Sequence, residues 1–330
     1  MFHLKDIAVV ILNWNGKGLL NTFLPSVIKH SKDAKIYVVD NASTDDSVAF
    51  LETHFQQVKV IKNTVNGGYA KGYNDAITHI KEPLLCLLNS DIEVTEHWLN
   101  PILDQFNSDS ETVIIQPKIL DYKKKTHFEY AGAAGGFIDK YAFPYCRGRI
   151  FNTIEEDTNQ YNDTSTIFWA SGACFFIRKS TFQELNGFDA SFFAHMEEID
   201  LCWRAYNLGY KAKYIGNSTV YHVGGATLNT TNPKKTYLNF RNSLYTLTKN
   251  TDKNLFARVF LRMVLDGIAG IRFIFQLQLL HCFSILKAHF SFYNALPRLL
   301  KQRKQLKKRS NYYNCNSIVW SYFIKKNKTF

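Results

Sequence analysis

Four short apolar runs, each closed by small polar residues and each followed by helical spacing, constrain this fold more than any other feature. They occupy positions 7–12, 36–39, 58–61 and 84–88. Short runs of this kind, bounded by turn-forming residues, suit strands buried on both faces. After the first run, Leu19, Leu20, Phe23, Leu24, Val27 and Ile28 recur at the spacing of one helix face. Alternating strands and helices predict an α/β fold, with a mostly parallel central sheet flanked by helices. In such sheets ligands bind beyond the carboxyl ends of the strands. The polar clusters that begin at Asn13, Asp40 and Asn89 all fall there. No G-x-G-x-x-G follows the first run, which argues against a Rossmann dinucleotide site.

A second feature lies at 186–210, where Asp189, Glu197, Glu198 and Asp200 sit among aromatic residues at the head of a helical pattern. Carboxylates rarely enter apolar surroundings without a partner or a task. One held in such a pocket has its pKa raised toward neutrality, which suits a general base. Solvated helix-start acids are the alternative, because the helix dipole also favours negative charge there. Asp200 and Arg204 are spaced to pair along the helix.

Five motifs occur in order: NWNG at 13–16, VVDNASTD at 38–45, NGGYAKGYN at 66–74, LLNSDIEV at 87–94 and GFD…EEIDLCWR…GY at 187–210. Together they resemble the inverting family 2 glycosyltransferases of the GT-A fold. The similarity is closest to the rhamnosyltransferase-like enzymes that build bacterial surface polysaccharides, and it covers roughly residues 5–250. The resemblance implies a nucleotide-sugar donor bound by Asn13, Asp40, Asn41, Asn66, Gly67, Gly68 and Asn74. Asp40 would meet base or ribose, although capping the next helix is its other role. Gly67 and Gly68 would admit phosphate to a helix start, although a plain turn also uses them.

Asn89, Ser90 and Asp91 occupy the place of the family's D-x-D motif, which holds a divalent cation, Mn²⁺ or Mg²⁺, against the donor diphosphate. Asn89 replaces the first carboxylate, so Asp91 carries the charged contact alone. His222 matches a histidine that completes the metal site in similar enzymes, and imidazole tolerates manganese. The family's base is the second of an acidic pair; here that is Glu198, with Glu197 as fallback. Trp169 and Gly172, in the segment 169–172, resemble the acceptor-facing loop, although a core tryptophan is an equal reading. The implied acceptor is a glycan or a polyprenyl-diphosphate-linked sugar. A non-catalytic relative that binds nucleotide sugars or scaffolds an assembly complex is the other class in view.

Charge divides the chain. Residues 249–330 hold 16 Lys or Arg and two acids, whereas residues 1–248 carry a net charge of −2. This sets a catalytic domain over 1–250 apart from a basic, amphipathic helical region over 251–330. In the latter, Leu255, Phe256, Val259, Phe260, Met263 and Val264 form an apolar stripe, and Arg258, Arg262 and Asp266 a polar one. The uncharged stretch at 273–286 is too short to span a bilayer as a helix. Arg298, Lys301, Arg303, Lys304, Lys307, Lys308 and Arg309 then crowd one segment. Such a pattern predicts an interfacial anchor on an anionic membrane surface, or else helices packed on the catalytic domain with a solvated basic end. No nucleic-acid reader motif accompanies the charge. Six cysteines without metal spacing, and a first strand that begins almost at Met1, predict a reducing, cytoplasmic setting at the inner membrane face.

Overall fold

The computed structural model describes residues 1–224 and 232–330. Its main sheet contains β1 (Ile7–Asn13), β2 (Lys35–Asp40), β3 (Lys59–Lys62), β4 (Leu84–Asn89), β5 (Ile92–Val94) and β6 (Thr112–Asp121). A small antiparallel sheet follows, made of β7 (Gly136–Ile138), β8 (Pro144–Cys146), β9 (Arg149–Ile150) and β10 (Thr153–Ile154). The main sheet is completed by β11 (Thr164–Ile167), β12 (Cys174–Arg178) and β13 (Lys211–His222). Its order is β11-β13-β6-β12-β4-β1-β2-β3, with β5 pairing β13.

The strands β3-β2-β1-β4 are parallel, as the alternation predicts. Beyond β4 the sheet becomes mixed, because β12 runs antiparallel to both β4 and β6 while β13 is parallel to β6. Alternate residues of the buried strands feed two cores. Val10, Val39, Leu85 and Leu87 face one, and Ile7, Val9, Val38, Cys86 and Leu88 face the other. That two-sided burial is why these runs read as continuously apolar.

The flanking helices are α1 (Lys17–His30), α2 (Ser47–His54), α3 (Gly68–Ile77), α4 (Asn100–Ser108), α5 (Lys179–Glu184) and α6 (Glu197–Asn207). On α1 the buried positions are Leu20, Phe23, Leu24 and Val27, the face that the sequence spacing picks out. After β13 come α7 (Pro233–Asn250), α8 (Leu255–Phe275), α9 (Leu279–Gln305) and α10 (Ile318–Phe323). Register carries the functional consequence. Asn13 pairs Asp40 and Leu12 pairs Asn89, so the strand-end polar residues line one edge of the sheet. The β13–β5 ladder sets His222 opposite Ile92, next in sequence to Asp91.

The C-terminal helices pack on the rest of the protein through part of their surface. The polar stripe of α8 faces the protein, while Phe256, Phe260 and Val264 of the apolar stripe face outward and Val259 and Met263 pack against the core: Arg262 is 3 % and Asp266 0 % exposed, against 74 % for Phe256 and 66 % for Phe260. The inward charges are paired, although the buried Nε of Arg258 finds no partner among the described residues. Arg262 Nε donates to Asp266 Oδ1 at 2.8 Å, Nη1 donates to the Tyr141 and Ala142 carbonyls, and the guanidinium lies 3.7 Å from the Phe143 ring centre. Arg258 Nη1 donates to Asp252 Oδ1 and to the Tyr312 hydroxyl, both at 2.8 Å. The basic segment is also partly structural. Arg303 donates to the carbonyls of Thr248 and Asp252, and Lys308 Nζ to that of Leu306. Arg298, Lys301, Lys304, Lys307 and Arg309 remain exposed. Among the described residues, no helix is long and apolar enough to cross a membrane.

Candidate active site

At the sheet edge, Asn13 Nδ2 donates to Asp40 Oδ1 at 3.3 Å, and Asp40 Oδ2 accepts from the Ser43 N–H at 3.0 Å. Asn13 is fully buried, and its Oδ1 has no hydrogen-bond partner among the described residues. Asn41 links the next motif, donating to Asn66 Oδ1 at 3.0 Å and to the Gly68 carbonyl at 3.2 Å. Ser90, half-buried, lies on the same rim beside Gly16.

Asp91 and His222 meet at the end of the β13–β5 ladder. Asp91 Oδ1 is 3.2 Å from His222 Nε2, and Asn89 Nδ2 is 3.4 Å from the same nitrogen. On the other side of the ring, Glu129 Oε1 lies 3.3 Å from Nδ1. Burial alone would lower the imidazole, but the two carboxylates override it and push its pKa up to about 10. One carboxylate and one imidazole form a donor set that suits manganese once the ring gives up its proton to the incoming cation's charge. Among the described residues no group of three or more His, Cys, Asp or Glu is arranged for a metal. Asp91 and His222 alone would leave a cation in need of further ligands from outside these side chains. Glu129 was missed by the motif reading; it comes from the loop after β6, which carries no motif.

The acidic pair opens α6. Burial pushes Glu198 up to about 7, whereas Glu197 is driven well above the carboxylate range by burial and then by the charge of Glu198. Among the described residues, each glutamate keeps one buried Oε2 without a partner. Leading into them, Phe193, His195 and Met196 all hold positive φ, at 67°, 71° and 73°. Non-glycine residues in that region cost on the order of 1–3 kcal/mol each and persist only where the surroundings over-determine them. Here α7 does so. Asn242 Nδ2 donates to the carbonyls of Phe192, Ala194 and His195, and Arg241 Nη2 to those of Ser191 and Phe192. Behind the pair, fully buried Asp200 accepts from Arg204 Nε and Lys249 Nζ, both at 2.9 Å, and from Asn250 Nδ2 at 2.8 Å. The Asp200–Arg204 pair is the one its spacing predicts.

Other expected ligand contacts turn out to be structural. Trp169 is 3 % exposed and donates through Nε1 to the Phe137 carbonyl, beneath Gly136, so it is a core residue and not an acceptor platform. Asn74 spends both amide atoms on the Phe188 backbone, donating to its carbonyl at 2.8 Å and accepting from its N–H at 2.9 Å. The start of α3 serves the loop before α6 instead of an open phosphate cradle. Gly68 holds φ +75°, a Cβ there would lie 2.3 Å from the Phe193 carbonyl oxygen, and the Tyr69 N–H donates to that oxygen. Gly67 Cβ space is taken by the Lys71 side chain. Gly172 lets Tyr69 approach, and the Tyr69 hydroxyl donates to its carbonyl at 2.9 Å. Tyr69 lies within electrostatic reach of both glutamates and is a second residue that the motifs did not single out.

Comparison with known proteins fits this geometry. The glycosyl transferase family 2 profile matches residues 8–185. An N-acetylglucosaminyl-diphospho-decaprenol L-rhamnosyltransferase of Mycobacterium tuberculosis is 21 % identical over 231 residues, covering 66 % of this chain and 75 % of the relative. Rhamnosyltransferase WbbL of Escherichia coli K12 is 23 % identical over 218 residues, covering 63 % and 80 %. Among solved structures, GalNAc-T7 with UDP, GalNAc and Mn²⁺ superposes with a TM-score of 0.59 at 17 % identity, over 97 % of this chain and 56 % of that one. The mannosyltransferase PcManGT of Pyrobaculum calidifontis, with GDP-Man and Mn²⁺, gives 0.53 at 11 % identity, with 87 % of each chain covered. At those identities the structures establish the GT-A fold alone. With the family profile spanning more than half of its residues, the chain belongs to glycosyl transferase family 2 and is a sugar-transferring enzyme.

Proposed function

We propose that the enzyme transfers a sugar, with inversion, from a nucleoside-diphosphate donor to a hydroxyl of a polyprenyl-diphosphate-linked glycan at the inner face of a membrane. The observation that carries this reading is Glu198, whose pKa of about 7 and unpartnered oxygen suit proton abstraction near neutral pH. The acceptor hydroxyl attacks the anomeric carbon as the nucleoside diphosphate departs, and Glu198 takes its proton. Burial and the charge of Glu198 raise the Glu197 carboxyl beside it, which disfavours a second negative charge on the pair. Asp40 and the free Oδ1 of Asn13 receive the nucleoside; Asn41, Asn66, Ser90 and Asn89 shape the rim above it. Asp91 and His222 would hold a divalent cation, which when bound neutralises charge on the departing diphosphate. Rhamnose as the sugar and a lipid diphosphate as the acceptor anchor are taken from the names of the two bacterial relatives.

Glu198→Gln keeps the shape and removes the base. Transfer is expected to fall about 10²–10⁴-fold while donor affinity by calorimetry stays near wild type. Transfer within about tenfold of wild type sinks the assignment. Damage confined to Glu197→Gln moves the role one residue along.

A further inference from the structure

The hairpin of α8 and α9 has its charges on the wrong side for a helix pair facing water. Outward it presents Phe256, Phe260, Ile268, Ile271, Phe283 and Phe290, all more than half exposed. Between residues 254 and 290 the only exposed charged side chains are Arg272 and Lys287. The two acids of the whole region are both withdrawn: Asp252 pairs Arg258, and Asp266 pairs Arg262. An apolar surface continued over two helices far exceeds what a monomer in water ordinarily shows.

We infer that this outer face of the α8–α9 hairpin is immersed in the acyl boundary of a lipid bilayer, tip included, and that it seats the active site at the membrane. Two observations favour lipid over a second copy of the chain. At the tip, every residue from Ile274 to Leu280 is exposed, and five of the seven are apolar. A twofold protein interface covers one side of such a turn, whereas immersion covers all sides. The exposed charges on the hairpin are also exclusively cationic, placed to snorkel toward anionic headgroups.

The tip is also close to the chemistry. Thr236 Oγ1, in the first turn of α7, lies 2.7 Å from His281 Nδ1 at the tip. In the same turn Lys234 Nζ sits 4.9 Å from the ring centre of Phe193, in the strained loop before Glu197. An acceptor with a lipid tail would thus present its sugar beside the acidic pair while the tail stays in the bilayer. That last consequence rests on the transferase reading above; the seating itself does not.

The test is flotation of the full-length protein with vesicles of equal parts phosphatidylcholine and phosphatidylglycerol, at low salt and at about 0.5 M salt, where exposed charges are screened. The protein is expected to float in both. Combining Phe260→Ser, Leu277→Ser and Phe283→Ser should lower vesicle partitioning by roughly a hundredfold or more. The melting temperature and hydrolysis of the donor in solution should stay unchanged. Partitioning that survives the triple substitution overturns the proposal. So does complete release of wild type by salt, which would assign the contact to the exposed lysines. A dimer by sedimentation velocity that the triple variant dissociates, with no flotation, would assign the face to a second copy. Because flotation requires no turnover, failure of the Glu198 assignment leaves this outcome unaffected.

Discussion

His222 stands between two carboxylates, with Asp91 at Nε2 and Glu129 at Nδ1. A histidine ligand is usually oriented by a group on its far nitrogen, and loss of that partner typically costs 10–100-fold in metal affinity. Glu129→Gln is therefore expected to weaken Mn²⁺ binding by about that factor, and Asp91→Ala more severely, because it removes the charged ligand itself. Mn²⁺ titration followed by electron paramagnetic resonance, with donor present, reads both. Equal affinity in all three proteins would remove this pair from the metal site. At this scale the sequence was legible where a residue ends a strand. Asn13, Asp40 and Asn89 end strands that the apolar runs before them mark, and Asp91 sits two residues past such an end. Glu129 and Tyr69 were not so marked, because each reaches the site from a loop or helix start whose position depends on tertiary packing. Trp169 and Asn74 were misread for a related reason. An aromatic or amide side chain beside a site looks the same in sequence whether it faces ligand or backbone.

Among the elements, α7 is the one on which the acidic pair depends. Lys249 Nζ bridges Asp189 at 2.7 Å and Asp200 at 2.9 Å, all three side chains being largely buried. Removing one partner of a buried pair leaves an uncompensated charge, so Lys249→Met is expected to destabilise the protein by about 3–5 kcal/mol in urea unfolding. The pH dependence follows in sign. Burial alone would raise the Asp189 carboxyl, but Lys249 and the Ser191 hydroxyl hold it well below the carboxylate range. A depressed folded pKa gives stability that is present above the unfolded value, about 3.9, and is lost as pH falls below it. The gap between wild type and Lys249→Met should accordingly narrow under acid conditions below about pH 4. A gap that is constant from neutral to acid pH would mean that packing, not charge, is what the substitution removes. The Asp200–Arg204 pair was readable from i, i+4 spacing alone. Lys249 was not, since it lies 49 residues from Asp200 and no local pattern announces so distant a partner. Periodicity likewise showed that α8 has two faces but could not say which one meets the protein.

For the molecule as a whole, α7 ends at Asn250, and the region beyond it is not a detachable tail. Ile285, Ala288, Phe292 and Leu299 of α9 are buried. Further along, the Ile318 N–H donates to buried Asp139, and Tyr312 packs on Trp203 at 4.4 Å between ring centres. A chain ended after residue 250 would expose that apolar surface on α7, so it is expected to aggregate on size-exclusion chromatography. A monodisperse truncated protein with donor hydrolysis would instead show the first 250 residues to be self-sufficient. The clamp on the acidic pair also dictates an order of events during synthesis. The ribosome delivers Glu197 and Glu198 before Asn242 and Lys249 exist. At about 5–20 residues per second the nascent chain spends several seconds with its two acids unseated. A translational pause in that interval would prolong the exposure of an unfinished site, whereas one after α9 would not.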